Sequence, residues 1–434
     1  MGKLLIKNCL LVTMEKDSCD GSENVFLGEI GIEGNEIIHV GKSATTNKNF
    51  KPNRVIDAEG MVAMPGFINA HTHAAMSLLR GYADDLPLME WLQNRIWPLE
   101  AKLTGEDVYW GTKLSILEML KAGVTTFADM YFFMDEVAKA VAESGIRASL
   151  ARGLTSGEGS KEALEETEDL FHKWHGYDQD RITVMYGPHA PYTCSPEFLG
   201  EIINGAKNLG AGIHIHLAET KDESLNIKKQ YGKPPVEFMK YLGLFDLPVL
   251  AAHCVHLEPE ELDILAEHNV KVAHNPESNM KLASGVAPIP DLLSKNVVVA
   301  LGTDGPASNN NLELFGEMRM AALLHKVEHS DPMAINAYQA LAMATRNGGK
   351  ALGLAKVGIL KKGYKADIIL VDNNRPHFYP QHNIIAHLVY SAQPGDVKTV
   401  IVNGEVLIEQ GKALRMDEGE IYRKVQEASQ RIIS

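Results

Sequence analysis

Cysteine is scarce. The 434 residues contain four (Cys9, Cys19, Cys194 and Cys254), with no CxxC pair and no framework spacing. A disulfide scaffold is excluded, and a reducing cytoplasm is the expected setting. Long apolar runs are also missing: none approaches the ~18–20 residues that cross a bilayer, so no membrane partner is expected. The N-terminal stretch MGKLLIKNCLLVTMEKD is broken by Lys7 and Asn8 and lacks a small-residue cleavage site, so it does not read as a signal peptide. Ile6 spoils the myristoylation pattern. Basic residues are in deficit, with 42 Lys+Arg against 56 Asp+Glu and a formal charge of −14. Without a basic cluster, a nucleic-acid backbone is not an expected partner.

What the chain has is apolar material, 45% of it, enough for a large folded core. From residue 65 onward, short β-branched runs alternate with amphipathic stretches. Strands are predicted at Ala63–His71, Val124–Met130, Arg147–Gly153, Ile182–Pro188, Gly212–Leu217, Val249–His253, Val270–His274 and Val297–Gly302. Helical patterns such as VYWGTKLSILEMLKAG and MDEVAKAVAESG lie between them, the second ending on Gly145 as a C-cap would. Eight such units over about 290 residues have the rhythm of a (β/α)₈ TIM barrel. The two ends read as β hairpins, so a small β-sandwich domain built from both termini is expected beside the barrel. The expected division is 1–62 and 356–415 for the small domain, 63–355 for the barrel, and 416–434 for an exposed C-terminal helix.

The chain also has 17 histidines. In a barrel of this type, chemistry occurs at the C-terminal ends of the strands. There the predicted strands carry His71 and His73, Asp129, Arg152, His189, HIHLAET, AAHCVH, AHNPESN and GTDGPASNN in turn. A period of two puts His71 and His73 on one face, about 7 Å apart along the strand. Such a pair can also be satisfied by backbone groups, but its position at the end of strand 1 favours metal ligation. In HIHLAET, His216 lies nearer the active end and is taken as a ligand, with His214 deeper in the barrel. Glu219, three residues on, shares that direction only if the strand has already ended. Asp304 reads either as a helix-capping turn residue or as a fourth ligand opposite three histidines. Three histidines and a carboxylate leave a position open for water, the pattern of a catalytic site. Zn²⁺ fits best, and Fe²⁺, Mn²⁺ or Ni²⁺ would tolerate the same donors. No lysine stands between Arg181 and Lys207 to bridge two ions, so one metal per subunit is expected.

Together, PGFINAHTHAAMSLLRG, HIHLAET, AAHCVHL, VAHNPESNMKLASG and ALGTDGPASNNNLELFGEMR resemble the amidohydrolase superfamily, and within it the 5-methylthioadenosine/S-adenosylhomocysteine deaminases. The resemblance runs over nearly the whole chain. It implies metal ligation by His71, His73, His216 and Asp304. It also implies contact of Glu219 with the heterocycle, His253 near the reacting water, and substrate contacts from Glu100, Arg152 and His189. MEWLQNRIWPLEAKL matches the family's substrate-covering segment. Homo-oligomers are common in the superfamily and are expected here.

The implied reaction is hydrolytic deamination of a 5'-substituted adenosine: 5-methylthioadenosine, S-adenosylhomocysteine, adenosine or 5'-deoxyadenosine. A bound divalent ion lowers the pKa of its water to about 7. The hydroxide so generated attacks adenine C6, and ammonia leaves. The catalytic residues are Glu219 as proton donor to ring N1, Asp304 as acceptor of the water proton, and His253 as hydrogen-bond partner of the attacking oxygen. Glu100 suits a ribose diol, because a carboxylate has two acceptor oxygens. Trp91 and Trp97 read as pocket walls or as helix core, and Ser308 and Asn309 as loop contacts. The alternative is a sister hydrolase acting on guanine, a pterin or a triazine. A non-enzymatic barrel would be expected to have lost ligands, and all four are present.

Overall fold

The computed structural model describes residues 2–42, 50–86 and 88–434; residues 43–49, part of the expected N-terminal β segment, lie outside the described residues. Eight parallel strands follow one another around a barrel in chain order: Phe67–Thr72, Val124–Tyr131, Arg147–Leu154, Ile182–Pro188, Ile213–Leu217, Val249–His253, Lys271–His274 and Val299–Leu301. We refer to them as barrel strands 1 to 8. Alternation decides what lies inside. Along strands 5, 6 and 8, Ile213 and Ile215, Val249 and Ala251, and Val299 and Leu301 pack in the outer core, while their neighbours turn inward. Many inward residues are small, among them Ala128, Ala151, Ala252, Ala273 and Ala300. That leaves space near the barrel axis for imidazoles.

The barrel closes through the residues that carry the chemistry. Strands 8 and 1 meet by a parallel bridge between Thr72 and Asp304, and Asp304 N donates to His71 O at 3.0 Å. Two residues deeper, Asn69 stands in for the missing ladder. Its Nδ2 donates to Thr303 Oγ1 (2.7 Å), and its Oδ1 accepts from Thr303 N (3.0 Å). Gly302 makes the approach feasible, since a Cβ there would lie 2.9 Å from the His71 backbone N.

Among the described residues, the two termini build one sheet of nine strands. Its order is Lys412–Ala413, Glu405–Glu409, Val397–Val402, Ile368–Asp372, Met61–Pro65, Lys3–Val12, Val25–Glu33, Glu36–Gly41, with Arg54–Asp57 paired to the first half of Lys3–Val12. In Lys3–Val12 a register slip between Ile6 and Cys9, with Asn8 at φ 60°, flips the alternation. Leu4, Ile6, Cys9 and Leu11 therefore all face the sheet's own core. Ile368–Asp372 is buried on both faces: Ile368 and Leu370 join that core, while Ile369 and Val371 join the core shared with the barrel helices. Arg147 and Asp367, each 1% exposed, bridge barrel and sheet by a bidentate pair at 2.7 and 3.1 Å.

Three details differ from the sequence expectation. The run Ala63–His71 is not one strand: Met61–Pro65 belongs to the terminal sheet and Phe67–Thr72 to the barrel. Gly66 makes the turn between them, where a Cβ would sit 2.1 Å from Thr125 Cγ2. Between the C-terminal strands, Ile384–Tyr390 is helical. The C-terminal helix, Glu418–Ile433, is docked rather than exposed throughout. Ile421, Ala428 and Ile432 are buried, and Ile432 O accepts from Lys102 Nζ at 2.9 Å. Among the described residues, no helix is long and apolar enough to cross a membrane.

Candidate active site

At the C-terminal mouth of the barrel, four ligand atoms from His71, His73, His216 and Asp304 lie within 4.8 Å of one another. His71 Nε2 and His73 Nε2 are each 3.3 Å from Asp304 Oδ1, and His73 Nε2 is 3.2 Å from His216 Nε2. Bonds of about 2 Å to one shared centre produce such separations. The other ring nitrogens are committed elsewhere. His73 Nδ1 donates to Met130 O (2.6 Å) and His216 Nδ1 to His189 O (2.7 Å), while His71 Nδ1 pairs with His214 Nε2 (2.8 Å). Each partner fixes a ring so that Nε2 points inward, as metal-ligating histidines require. His214 is thus the deeper residue the sequence implied, and its task is to orient His71.

The donor set fits a single divalent ion. His71 Nε2 is buried and, among the described residues, has no hydrogen-bond partner. Burial holds the His71 imidazole down at about 4 and His216 well below the usual range, so both present lone pairs. Burial works against protonation of His73 as well, but Asp304 raises it to about 9. Asp304 itself is held well below the carboxylate range, against its burial, by His71 and His73. The carboxylate therefore calls for positive charge at this point. Its Oδ2 is turned away, accepting from Ser278 Oγ (2.6 Å) and Ser308 Oγ (2.8 Å).

Glu219 reaches the same mouth because the strand does end. Ala218 adopts φ 52°, a left-handed conformation that costs an alanine about 1 kcal/mol. That turn cancels the alternation, so Glu219 faces the cavity with His216. Burial pushes its carboxyl up, with the His253 charge opposing. His253 Nε2 stands 3.9 Å from Glu219 Oε2, while its Nδ1 meets Asn279 Oδ1 (2.9 Å) and Asn275 Nδ2 (3.3 Å).

A cavity of about 420 Å³ opens over these groups, a size suited to a small organic ligand. His73, His216, Glu219, His253 and Asp304 line it, with His71 beneath. Glu100, His189, Trp91, Trp97 and Ser308 also line it. Trp91, Trp97 and Glu100 arrive on the helical segment 88–100, whose wide π turn at Leu92–Ile96 aims them at the mouth. Glu100 Oε1 accepts from Tyr131 OH (2.7 Å), and burial pushes the Glu100 carboxyl up. Arg152 is not among the lining residues. It lies on a neighbouring cavity, its Nε donating to Glu166 Oε2 (2.7 Å) and its guanidinium stacked 5.2 Å from the Phe132 ring centroid. Asn309 is buried and donates to Thr303 O and Glu317 Oε1 rather than reaching the cavity. Asp129 is no ligand either: its Oδ1 takes Thr72 Oγ1 (2.8 Å) and Ala74 N (2.7 Å), bracing the loop that carries His73. Sequence reasoning missed Tyr131, Ser278 and Asn279. The last two sit inside the quoted AHNPESN motif, which was the signal available.

The chain is similar along its whole length to known proteins. Residues 62–407 match the model of the amidohydrolase family. The 5-methylthioadenosine/S-adenosylhomocysteine deaminase of Pelotomaculum thermopropionicum is 53% identical, with 100% of each chain covered. Among solved structures, an adenosine deaminase from Xanthomonas campestris with bound zinc superposes at a TM-score of 0.94, with 34% identity over 100% of this chain and 99% of that one. An atrazine chlorohydrolase from Arthrobacter aurescens complexed with zinc superposes at 0.90, with 25% identity over 98% and 100%. With its eight-stranded barrel, its three histidines and aspartate, and these full-length matches, the chain belongs to the amidohydrolase family, in the group of the 5-methylthioadenosine/S-adenosylhomocysteine deaminases.

Proposed function

We propose that this chain hydrolytically deaminates adenosines bearing a 5' substituent, 5-methylthioadenosine and S-adenosylhomocysteine among them, to the inosine compounds and ammonia. The observation that carries the reading is a buried carboxyl, Glu219, 3.9 Å from His253 and sharing one cavity with the metal-ligand set and Glu100. Identity to a named deaminase of this specificity is 53%, against 25% for the triazine-acting relative.

A divalent ion held by His71, His73, His216 and Asp304 would supply a water that ionises near neutral pH. Glu219, which burial favours in its protonated form, gives its proton to ring N1 and so makes C6 electrophilic. Asp304, anchored through Oδ2 by Ser278 and Ser308, takes the proton of the attacking water. His253 Nε2 donates to the attacking oxygen as C6 becomes tetrahedral. Asp304 then passes its proton to the amino group, ammonia leaves, and the C6 hydroxyl proton returns to Glu219 while N1 keeps the proton it received. Glu100 Oε2 accepts from the ribose hydroxyls, Oε1 being engaged by Tyr131. His189 and the Trp91 ring bound the nucleoside. Arg152 meets a substrate carboxylate only by leaving Glu166.

Zinc is the ion we favour, on the nitrogen-rich donor set and on the zinc in the Xanthomonas relative. Four free cysteines, three of them buried, suit the cytoplasm. A homo-oligomer acting on a small nucleoside, with no nucleic acid or membrane as partner, completes the reading. A screen of 5-methylthioadenosine, S-adenosylhomocysteine, 5'-deoxyadenosine, adenosine and guanine, with bound metal quantified in the same preparation, tests it. Ammonia is expected from the 5'-substituted adenosines. Release from guanine alone would overturn the proposal.

A further inference from the structure

We propose that Glu223, which neither lines the cavity nor belongs to the ligand set, is the positioning residue that holds Glu219 against His253; the proposal rests on Glu219 as the proton donor. Glu223 is 4% exposed, on the first turn of helix Lys221–Tyr231. Thr220 caps that helix, its hydroxyl accepting from Glu223 N at 3.2 Å. In an ordinary capping box the acid at this position would reach back to the backbone N–H of the cap residue itself. Here it passes over Thr220. Its Oε1 accepts from Ala218 N (2.9 Å) and its Oε2 from Glu219 N (2.8 Å).

The carboxylate thus clamps the turn that aims Glu219. Ala218, at φ 52°, is in a conformation an alanine does not hold unaided. The carbonyl of the same residue ties in the neighbouring loop, accepting from Val255 N (3.0 Å) and His256 N (2.9 Å). Those two residues follow His253 and Cys254, themselves at φ 74° and φ 50°. Ser224 Oγ closes the corner by donating to His256 O (3.2 Å). The loops after barrel strands 5 and 6 therefore form one unit, with Glu223 bound to the residue that joins them. The fixed relation of Glu219 and His253, 3.9 Å apart, follows from that unit.

The experiment uses the metal-loaded enzyme with 5-methylthioadenosine and compares Glu223→Gln, Glu219→Gln and Glu223→Gln/Ala218→Gly. Glu223→Gln should lower kcat roughly 10–100-fold while KM stays within about threefold and bound metal stays at the wild-type level. Glycine takes a left-handed backbone at no steric cost, so adding Ala218→Gly should recover several-fold of the lost kcat. A merely structural role would give no such recovery. If Glu223→Gln does not fold, Glu223→Asp, which keeps the charge at shorter reach, replaces it with the same expectations. Wild-type kcat in Glu223→Gln beside an inactive Glu219→Gln overturns this proposal alone, as does loss of metal or failure of the glycine rescue. A fully active Glu219→Gln overturns the underlying reading and this one with it.

Discussion

Burial raises the Glu219 carboxyl, which favours its protonated form at pH values where an exposed glutamate has ionised. An amide in its place keeps the shape and loses the proton. Glu219→Gln should therefore retain metal while kcat falls by about 10²–10⁴; near-normal turnover would remove Glu219 from the proton path. His214 offers a separate test, because it does not line the cavity and its Nε2 meets the His71 ring. His214→Ala leaves His71 Nδ1 without its partner. Metal affinity, measured by competition with a chelator, should weaken by about 10–100-fold. Unchanged affinity would mean that packing alone orients His71.

At the scale of elements, the seam between barrel strands 8 and 1 stands out, because side chains supplement an isolated backbone bridge there. Asn69→Ala removes both hydrogen bonds to Thr303 and leaves its buried N–H unpaired. The variant should lose about 2 kcal/mol in denaturant unfolding, and a loss below about 0.5 kcal/mol would show that the seam is held otherwise. Strands and their polar ends were legible in the sequence because alternation and strand-end position are local signals. Tight backbone events were not. Gly66 divides two apolar runs that read as one, since what demands the glycine is Thr125 from another strand. The direction of Glu219 could be posed from the spacing in HIHLAET but not resolved, because the left-handed Ala218 is maintained by Glu223 and by the next loop. Arg152 sat at the expected strand end, yet its side chain turned to Glu166, a helix residue that no strand pattern names.

Across the whole molecule, the terminal sheet and the barrel share buried faces and the Arg147–Asp367 pair. Acidic residues are buried away from the ligand set as well. Glu317, fully buried, is pushed well above the carboxylate range by that burial and then by the charge of Glu277. A carboxyl raised in the folded state binds its proton more tightly there than in the unfolded chain. Its stabilising contribution is complete below the ordinary carboxylate range and is lost as pH rises through the elevated value. Glu317→Gln does not titrate, so its Tm relative to wild type should climb as pH increases from about 4. A difference independent of pH would contradict the assignment.

The central claim joins the ligand set to the deamination of a 5'-substituted adenosine, and titration of metal-depleted chain with Zn²⁺ tests it most directly. Ammonia release from 5-methylthioadenosine should rise linearly and plateau at one ion per chain. Full activity before any ion is added, or a chain saturated with one ion that releases no ammonia from any 5'-substituted adenosine, would contradict it.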